Sequence, residues 1–152
     1  MAKLGDAFPA HTRRALIEKQ LTPGCVVRIT VKFTEVTKPK LLVLVADDDP
    51  DYCWFIINSE INAYVRMRPH LYQCQVNIDA TAHDFLKRDS YLACDKLLRL
   101  KRDDVIRELV GNIGEHKGTV SNNVRDEILS AVKIAATLSR AEKTKILSSL
   151  TG

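Results

Sequence analysis

The sequence predicts a mainly β fold with helices: a small barrel with one helix at its start and further helices at its end. Three observations predict it. Val27, Ile29, Val31 and Phe33 alternate with Arg28, Thr30, Lys32 and Thr34, the period-two pattern of a half-buried strand. Residues 41–46 and 52–57 are short apolar runs between polar turns, as expected of strands buried on both faces. No long amphipathic helix separates these central runs, so the crossovers of a parallel sheet are missing, and short strands at close spacing favour a barrel.

The remaining elements follow in order. Residues 9–20 set Ala15, Leu16 and Ile17 among Arg13, Arg14, Glu18 and Lys19, which reads as a short helical appendage or lid. Thr22, Pro23 and Gly24 form a turn signal before the first strand, and Thr37 to Lys40 interrupt that strand through Pro39. Asp47, Asp48, Asp49, Pro50 and Asp51 read as a solvated turn that also blunts a sheet edge; they lack the ligand spacing and distal Glu of a calcium loop. Asn58, Ser59, Glu60 and Asn62 gather polar groups at the exit of the 52–57 strand. Tyr72, Cys74, Val76 and Ile78 alternate with Gln73, Gln75, Asn77 and Asp79, predicting another strand, and residues 91–94 and 96–100 predict two more. Residues 103–110 suit a brief helix. Gly118 and residues 121–123 then prepare the main helix, whose Val124, Ile128, Val132 and Ala135 share one face, with Asn123 and Asp126 as a capping pair. Ser139 and Glu142 form a capping box opening a final helix over 140–150. Its Ile146, Leu147 and Leu150 need a partner, either the same barrel or a second subunit.

A chain of 152 residues fits one domain over residues 1–152, with a barrel core over about 22–120 and C-terminal helices over about 121–150. Its 45% hydrophobic and 28% charged residues exclude wholesale disorder. Lys and Arg number 23 against 19 Asp and Glu, a net charge of +4, which permits nucleic-acid binding without demanding it. Cys25, Cys53, Cys74 and Cys94 form no CxxC pair and sit in apolar or alternating runs, so they read as reduced core thiols of a cytoplasmic protein in preference to zinc ligands. No metal and no other cofactor is expected. The longest apolar run, residues 41–46, is far too short to span a membrane.

Several segments carry a resemblance. Pro23-Gly24-Cys25-Val26-Val27 opens a strand, and Lys38-Pro39-Lys40 leads into the apolar run that begins at Leu41. Residues 52–59 form a strand with a polar exit, and Asp89-Ser90-Tyr91-Leu92-Ala93-Cys94-Asp95-Lys96 a late strand pair; Lys117-Gly118-Thr119-Val120 leads into the main helix. In this order and spacing, over residues 22–138 or so, the chain resembles the PemK/MazF toxins of type II toxin–antitoxin systems. The resemblance implies an SH3-like barrel, a homodimer, and an antitoxin protein covering the active groove. It also implies a metal-independent, sequence-selective endoribonuclease that cuts single-stranded RNA. Active members use an Arg just before the second-strand Pro and a Ser or Thr at the third-strand exit. Those positions fall on Lys38 and Ser59, with Asn58 the alternative if the register slips by one.

Two departures stand out: Cys25 replaces a usual Asp, and Lys38 offers the phosphorane a point charge instead of a planar bidentate fork. Ser59 would assist proton transfer or hold the scissile phosphate. His83, beside Asp84, is a reserve acid or base, although neighbours in sequence need not face one another. Lys40, Arg66, Arg68, Lys87 and Arg88 are expected along the RNA backbone. Lys96, Arg99, Lys101 and Arg102 either join them or are solvated charges near Asp89, Asp103 and Asp104. Tyr64 and Tyr72 could stack on bases, whereas Trp54 belongs to the core. The missing Arg leaves an alternative open: a catalytically silent barrel acting as a nucleic-acid- or protein-binding regulatory module.

Overall fold

A computed structural model describes residues 10–33, 36–111 and 115–151. The elements in chain order are α1 (Ala10–Gln20), β1 (Cys25–Phe33), β2 (Val36–Asp48), β3 (Asp51–Asn58), α2 (Ala63–Arg66), α3 (Pro69–Tyr72), β4 (Gln75–Ile78), β5 (Ser90–Lys101), α4 (Arg102–Gly111), β6 (His116–Thr119), α5 (Asn122–Ile134) and α6 (Arg140–Thr151). The strands form one curled antiparallel sheet in the order β4-β5-β3-β2-β1-β6, an open half-barrel with helices packed on it. This is the mainly β fold with helices that the strand pattern predicts.

Strand alternation divides the core in two. Val26, Val43, Phe55, Ile57, Ile78 and Leu92 face inward, where Val124, Ile128 and Val132 of α5 and Ile146 and Leu150 of α6 cover them. Val27, Ile29, Leu42, Leu44 and Trp54 face the other way, under Ile17 of α1 and Val105, Ile106 and Leu109 of α4. The continuous apolar runs of β2 and β3 are therefore strands covered on both faces, as their composition predicts. Trp54 and Phe55 are each fully buried, one on either face, and truncating either to Ala should cost about 3–5 kcal/mol. The α6 helix docks on β2 and α5 of its own chain, which selects the same-barrel option for Ile146 and Leu150. The Ser139 and Glu142 capping box forms in both directions, with bonds of 3.1 and 2.8 Å.

Five local expectations are corrected. Residues 37–40 are not a break before the apolar run: they belong to β2, which pairs with β1 through Lys38, Pro39 and Lys40 opposite Val31, Thr30 and Ile29. Tyr72 ends the helix α3 and does not begin a strand: Pro69 occupies the first turn, where its fixed φ suits a helix, and β4 starts only at Gln75. The two strands expected over 91–94 and 96–100 are one strand, β5, with an irregularity: Ala93 pairs with Ile56 and Leu98 with Trp54, so residues 94–97 lie opposite Phe55 alone. His116 to Thr119 are a sixth strand on the edge of β1. The cap of α5 is Ser121, whose hydroxyl accepts the Val124 N–H, and not Asn123.

Arg125 of α5 fastens the base of β1 to α6. It donates to the Pro23 and Leu150 carbonyls at 2.9 Å each. Gly24 has φ +96°, which calls for glycine, and a Cβ there would stand 2.5 Å from the Arg125 guanidinium and push on its bonds. No helix among the described residues is long and apolar enough to cross a membrane.

Candidate functional site

At one end of the half-barrel the inner face runs out of apolar residues and opens into a cleft of about 530 Å³. Each strand continues its inner-face series into it: Arg28 after Val26 on β1, Leu41 and Pro39 before Val43 on β2, Ser59 after Ile57 beyond β3, and Ser90 before Leu92 on β5. Lys40, Lys87, Arg88 and Lys117 complete the polar wall, with Phe85 and Leu86 as apolar neighbours. Five lining residues are cations and none is acidic. Among the described residues, Arg28, Lys87, Arg88 and Lys117 form no ion pair. Such a site suits a phosphate-bearing ligand.

The loop over residues 79–90, which carries Lys87 and Arg88, is held by its own backbone. The Asp89 carboxylate accepts the Ala80 N–H and the Asp79 carboxylate the Ala82 N–H, both at 2.8 Å. The Ser90 hydroxyl donates to the Arg88 carbonyl at 3.0 Å. Asp89 therefore binds backbone and leaves the adjacent cations unpaired.

His83 is the clearest correction. It is 2% exposed, and both ring nitrogens are engaged: Nε2 accepts the Ser121 N–H at 3.0 Å, so Nδ1 carries the proton and donates to the Asp79 carbonyl at 2.8 Å. Its ring meets that of Phe85 edge to face at 5.6 Å. A histidine so placed positions the loop and the start of α5, and it has no free nitrogen to act as acid or base.

The other expected residues separate into groups. Lys40, Ser59, Lys87 and Arg88 converge on the cleft. Lys38 is exposed, lies across from Val31, and falls by alternation on the outer face; it is not among the cleft's lining residues. Asn58, on the same outer face, accepts a hydrogen bond from Lys40 Nζ at 3.3 Å. Arg66 and Arg68 lie away from the cleft on and just after α2, donating to the Ile61 and Tyr64 carbonyls, and the Arg68 guanidinium stacks 3.4 Å from the Tyr64 ring centroid. Tyr72 is half exposed, and Trp54 is core.

Arg28 is the residue that sequence reading missed. The 27–33 alternation assigns it to the solvent side of a half-buried strand, but Val26 begins a second apolar face, and Arg28 is the next position on that face. A charged residue two positions after a buried one, on a strand covered on both sides, was the available signal. Arg99 and Arg102 also differ from expectation. They pair with the acidic turn: Arg99 with Asp48 at 2.8 Å, and Arg102 with Asp47 and, at 3.8 Å, with Asp49. The four cysteines are free and buried. Burial pushes the Cys25 thiol up to about 12 and raises Cys94 well above its ordinary value, so neither is a thiolate near neutral pH.

No family model and no curated protein matches the sequence. Solved structures do match. The toxin MazF-mt6 of Mycobacterium tuberculosis superposes with a TM-score of 0.51 at 12% identity, covering 76% of this chain and 98% of that one. The MazE–MazF structure from Deinococcus radiodurans gives 0.49 at 9% identity, over 73% and 91%. The curled antiparallel sheet with its packed helices is the fold of the MazF/PemK-like toxins.

Proposed function

We propose that this chain is a PemK/MazF-type toxin of a type II toxin–antitoxin system, a metal-independent and sequence-selective endoribonuclease acting on single-stranded RNA in the cytoplasm. The observation that carries the reading is the unpaired cation set of Arg28, Lys87, Arg88 and Lys117 around Ser59, on a MazF-like fold. In metal-free RNA cleavage the neighbouring 2′-hydroxyl attacks phosphorus and gives its proton to water, negative charge grows on the phosphorane oxygens, and the P–O5′ bond breaks as the 5′ oxygen takes a proton from water. Arg28 supplies the planar, permanently charged fork that such oxygens need, so the role that the resemblance assigns to Lys38 passes in this reading to Arg28. Ser59 holds the scissile phosphate or the leaving oxygen. Lys87, Arg88 and Lys117 hold the flanking backbone. Among the described residues no carboxylate or imidazole lines the cleft, so rate enhancement in this reading rests on charge stabilisation and positioning. The same reading includes a homodimer and an acidic antitoxin segment that competes for the cleft.

A second reading, a silent barrel that binds nucleic acid or protein as a regulatory module, is favoured by two observations: Lys38 lies off the cleft, and the cleft lacks a residue that titrates near neutrality. One experiment separates the two. End-labelled single-stranded RNA is incubated in EDTA with wild type, Arg28→Ala, Ser59→Ala and Lys38→Ala. The toxin reading expects discrete cuts, slowed about 10²- to 10³-fold by Arg28→Ala, reduced by Ser59→Ala and unaffected by Lys38→Ala. Absence of cleavage by folded, antitoxin-free protein over a broad RNA set selects the binding module.

A further inference from the structure

We propose that a second pocket, on the outer face of the sheet beside Asn58, is a nucleobase subsite that takes an amino-bearing base of the strand whose phosphate lies in the basic cleft. This rests on the RNA reading above. The pocket has a volume of about 430 Å³, within the range of small-ligand sites. Its apolar floor includes Ile56 and Leu71, and its polar groups include Asn58, Gln75 and Asp95.

Three features make it more than a surface dent. The first is its place on the chain. Asn58 and Ser59 are consecutive at the exit of β3 and belong to different cavities, Ser59 to the basic cleft and Asn58 to this pocket. Lys40 Nζ links the two by its bond to Asn58 Oδ1. A strand with a phosphate beside Ser59 has a neighbouring base within reach of Asn58.

The second feature is the irregularity in β5. Asp95 lies within residues 94–97, opposite Phe55 alone, where a regular ladder is broken; such breaks re-aim side chains and recur beside functional sites. The Asp95 carboxylate is fixed: its Oδ1 accepts from Gln75 Nε2 at 2.8 Å, and the same nitrogen donates to the Leu71 carbonyl at 3.1 Å. Both Gln75 amide hydrogens are thus engaged, leaving Asp95 Oδ2 and Gln75 Oε1 as acceptors. Asn58 keeps its amide N–H₂ as a donor. A pocket with a carboxylate and an amide oxygen as acceptors recognises exocyclic amino groups, which guanine, adenine and cytosine carry and uracil lacks.

The third feature is Tyr64, which lines the pocket and is 61% exposed. Arg68 stacks on its ring and donates to its carbonyl at 2.9 Å. An exposed tyrosine beside base-reading groups is a stacking platform.

The test is fluorescence anisotropy with short oligouridylates, 2′-fluoro-substituted to block cleavage, carrying no replacement or a single G, A or C at each position. Wild type should prefer an amino-bearing base at one position by about 5- to 100-fold. Asp95→Asn keeps the shape and the bond from Gln75, and should abolish that preference, because the acceptor Oδ2 is replaced by an N–H donor. Tyr64→Ala should weaken binding of the preferred oligonucleotide about 5- to 100-fold. Arg28→Ala serves as the cleft control and should weaken all oligonucleotides alike. If Arg28→Ala has that effect but base preference is absent, or survives Asp95→Asn and Tyr64→Ala, the subsite is overturned and the RNA reading stands. If folded wild type binds none of the oligonucleotides, both fall.

Discussion

The two ends of the β2–β3 hairpin use the same residue types to opposite effect. At the turn, Asp47, Asp48, Asp49 and Asp51 meet Arg99, Arg102 and Lys145, and every one of those cations has a carboxylate within 4.0 Å. At the other end, about 26 Å away by strand rise from Lys40 to Asp48, Arg28, Lys87, Arg88 and Lys117 face a cleft with no acidic lining residue among the described residues. Asp89, next to Arg88 on the loop, is committed to the Ala80 N–H. Basic residues are therefore poor guides to a binding site until their partners are known. The turn has the more charges, and it is the cleft whose charges are unpaired.

The contrast can be broken most directly at the cleft. The combined variant Arg28→Ala, Lys87→Ala, Arg88→Ala should lower the slope of log K for single-stranded RNA against log salt by about 2, or roughly 0.7 for each phosphate charge lost. An unchanged slope would remove these residues from the interface. His83→Ala tests what holds that end in place of ion pairs. It leaves the buried Ser121 N–H and Asp79 carbonyl without their partner and should cost about 2–4 kcal/mol in urea unfolding; a neutral variant would contradict the positioning role.

At the turn, Arg99→Ala with Arg102→Ala should leave RNA affinity within about twofold, because these guanidinium groups are already paired and lie beyond a Debye length from the cleft. The smallest effect is in pH. A hydrogen bond from Arg99 holds the Asp48 carboxyl below its ordinary value. A carboxyl lowered in the folded state contributes stability above its unfolded pKa of about 3.9, and that contribution disappears as pH falls through the lower folded value. Thermal midpoints of wild type and Arg99→Ala should differ near pH 6 and converge toward pH 2–3. Parallel curves over that range would rule the pair out as the source.

How much of this was legible in the sequence depends on the range of the interaction. Local signals read correctly: the β1 alternation, the apolar runs of β2 and β3, the polar exit at Ser59, and the Ser139–Glu142 capping box each lie within a few residues. Pairings across the chain did not. Arg99 and Asp48 are 51 residues apart, His83 and Ser121 are 38 apart, and no window shows that they meet. The His83-Asp84 neighbour pair suggested chemistry, yet the ring turns to the Asp79 carbonyl and the α5 cap. Arg28 was hidden by a half-true reading, since the strand that carries it is covered on both faces at its start and opens to the cleft only where Arg28 stands.

The docking of α6 has a consequence for the order in which the molecule comes into being. Val43, Val45 and Phe55 on the inner face share a core with Ile146 and Leu150, some hundred residues later. While a ribosome is still making residues 60–121, the central strands have neither helix to cover that face, and until α6 follows they have only α5. Such long-range closure is slow relative to local folding, and half-made sheets of this kind are vulnerable to aggregation and proteolysis. The barrel therefore becomes a finished object only after α6 has been synthesised, and a chain interrupted before residue 140 lacks the lid of its own core.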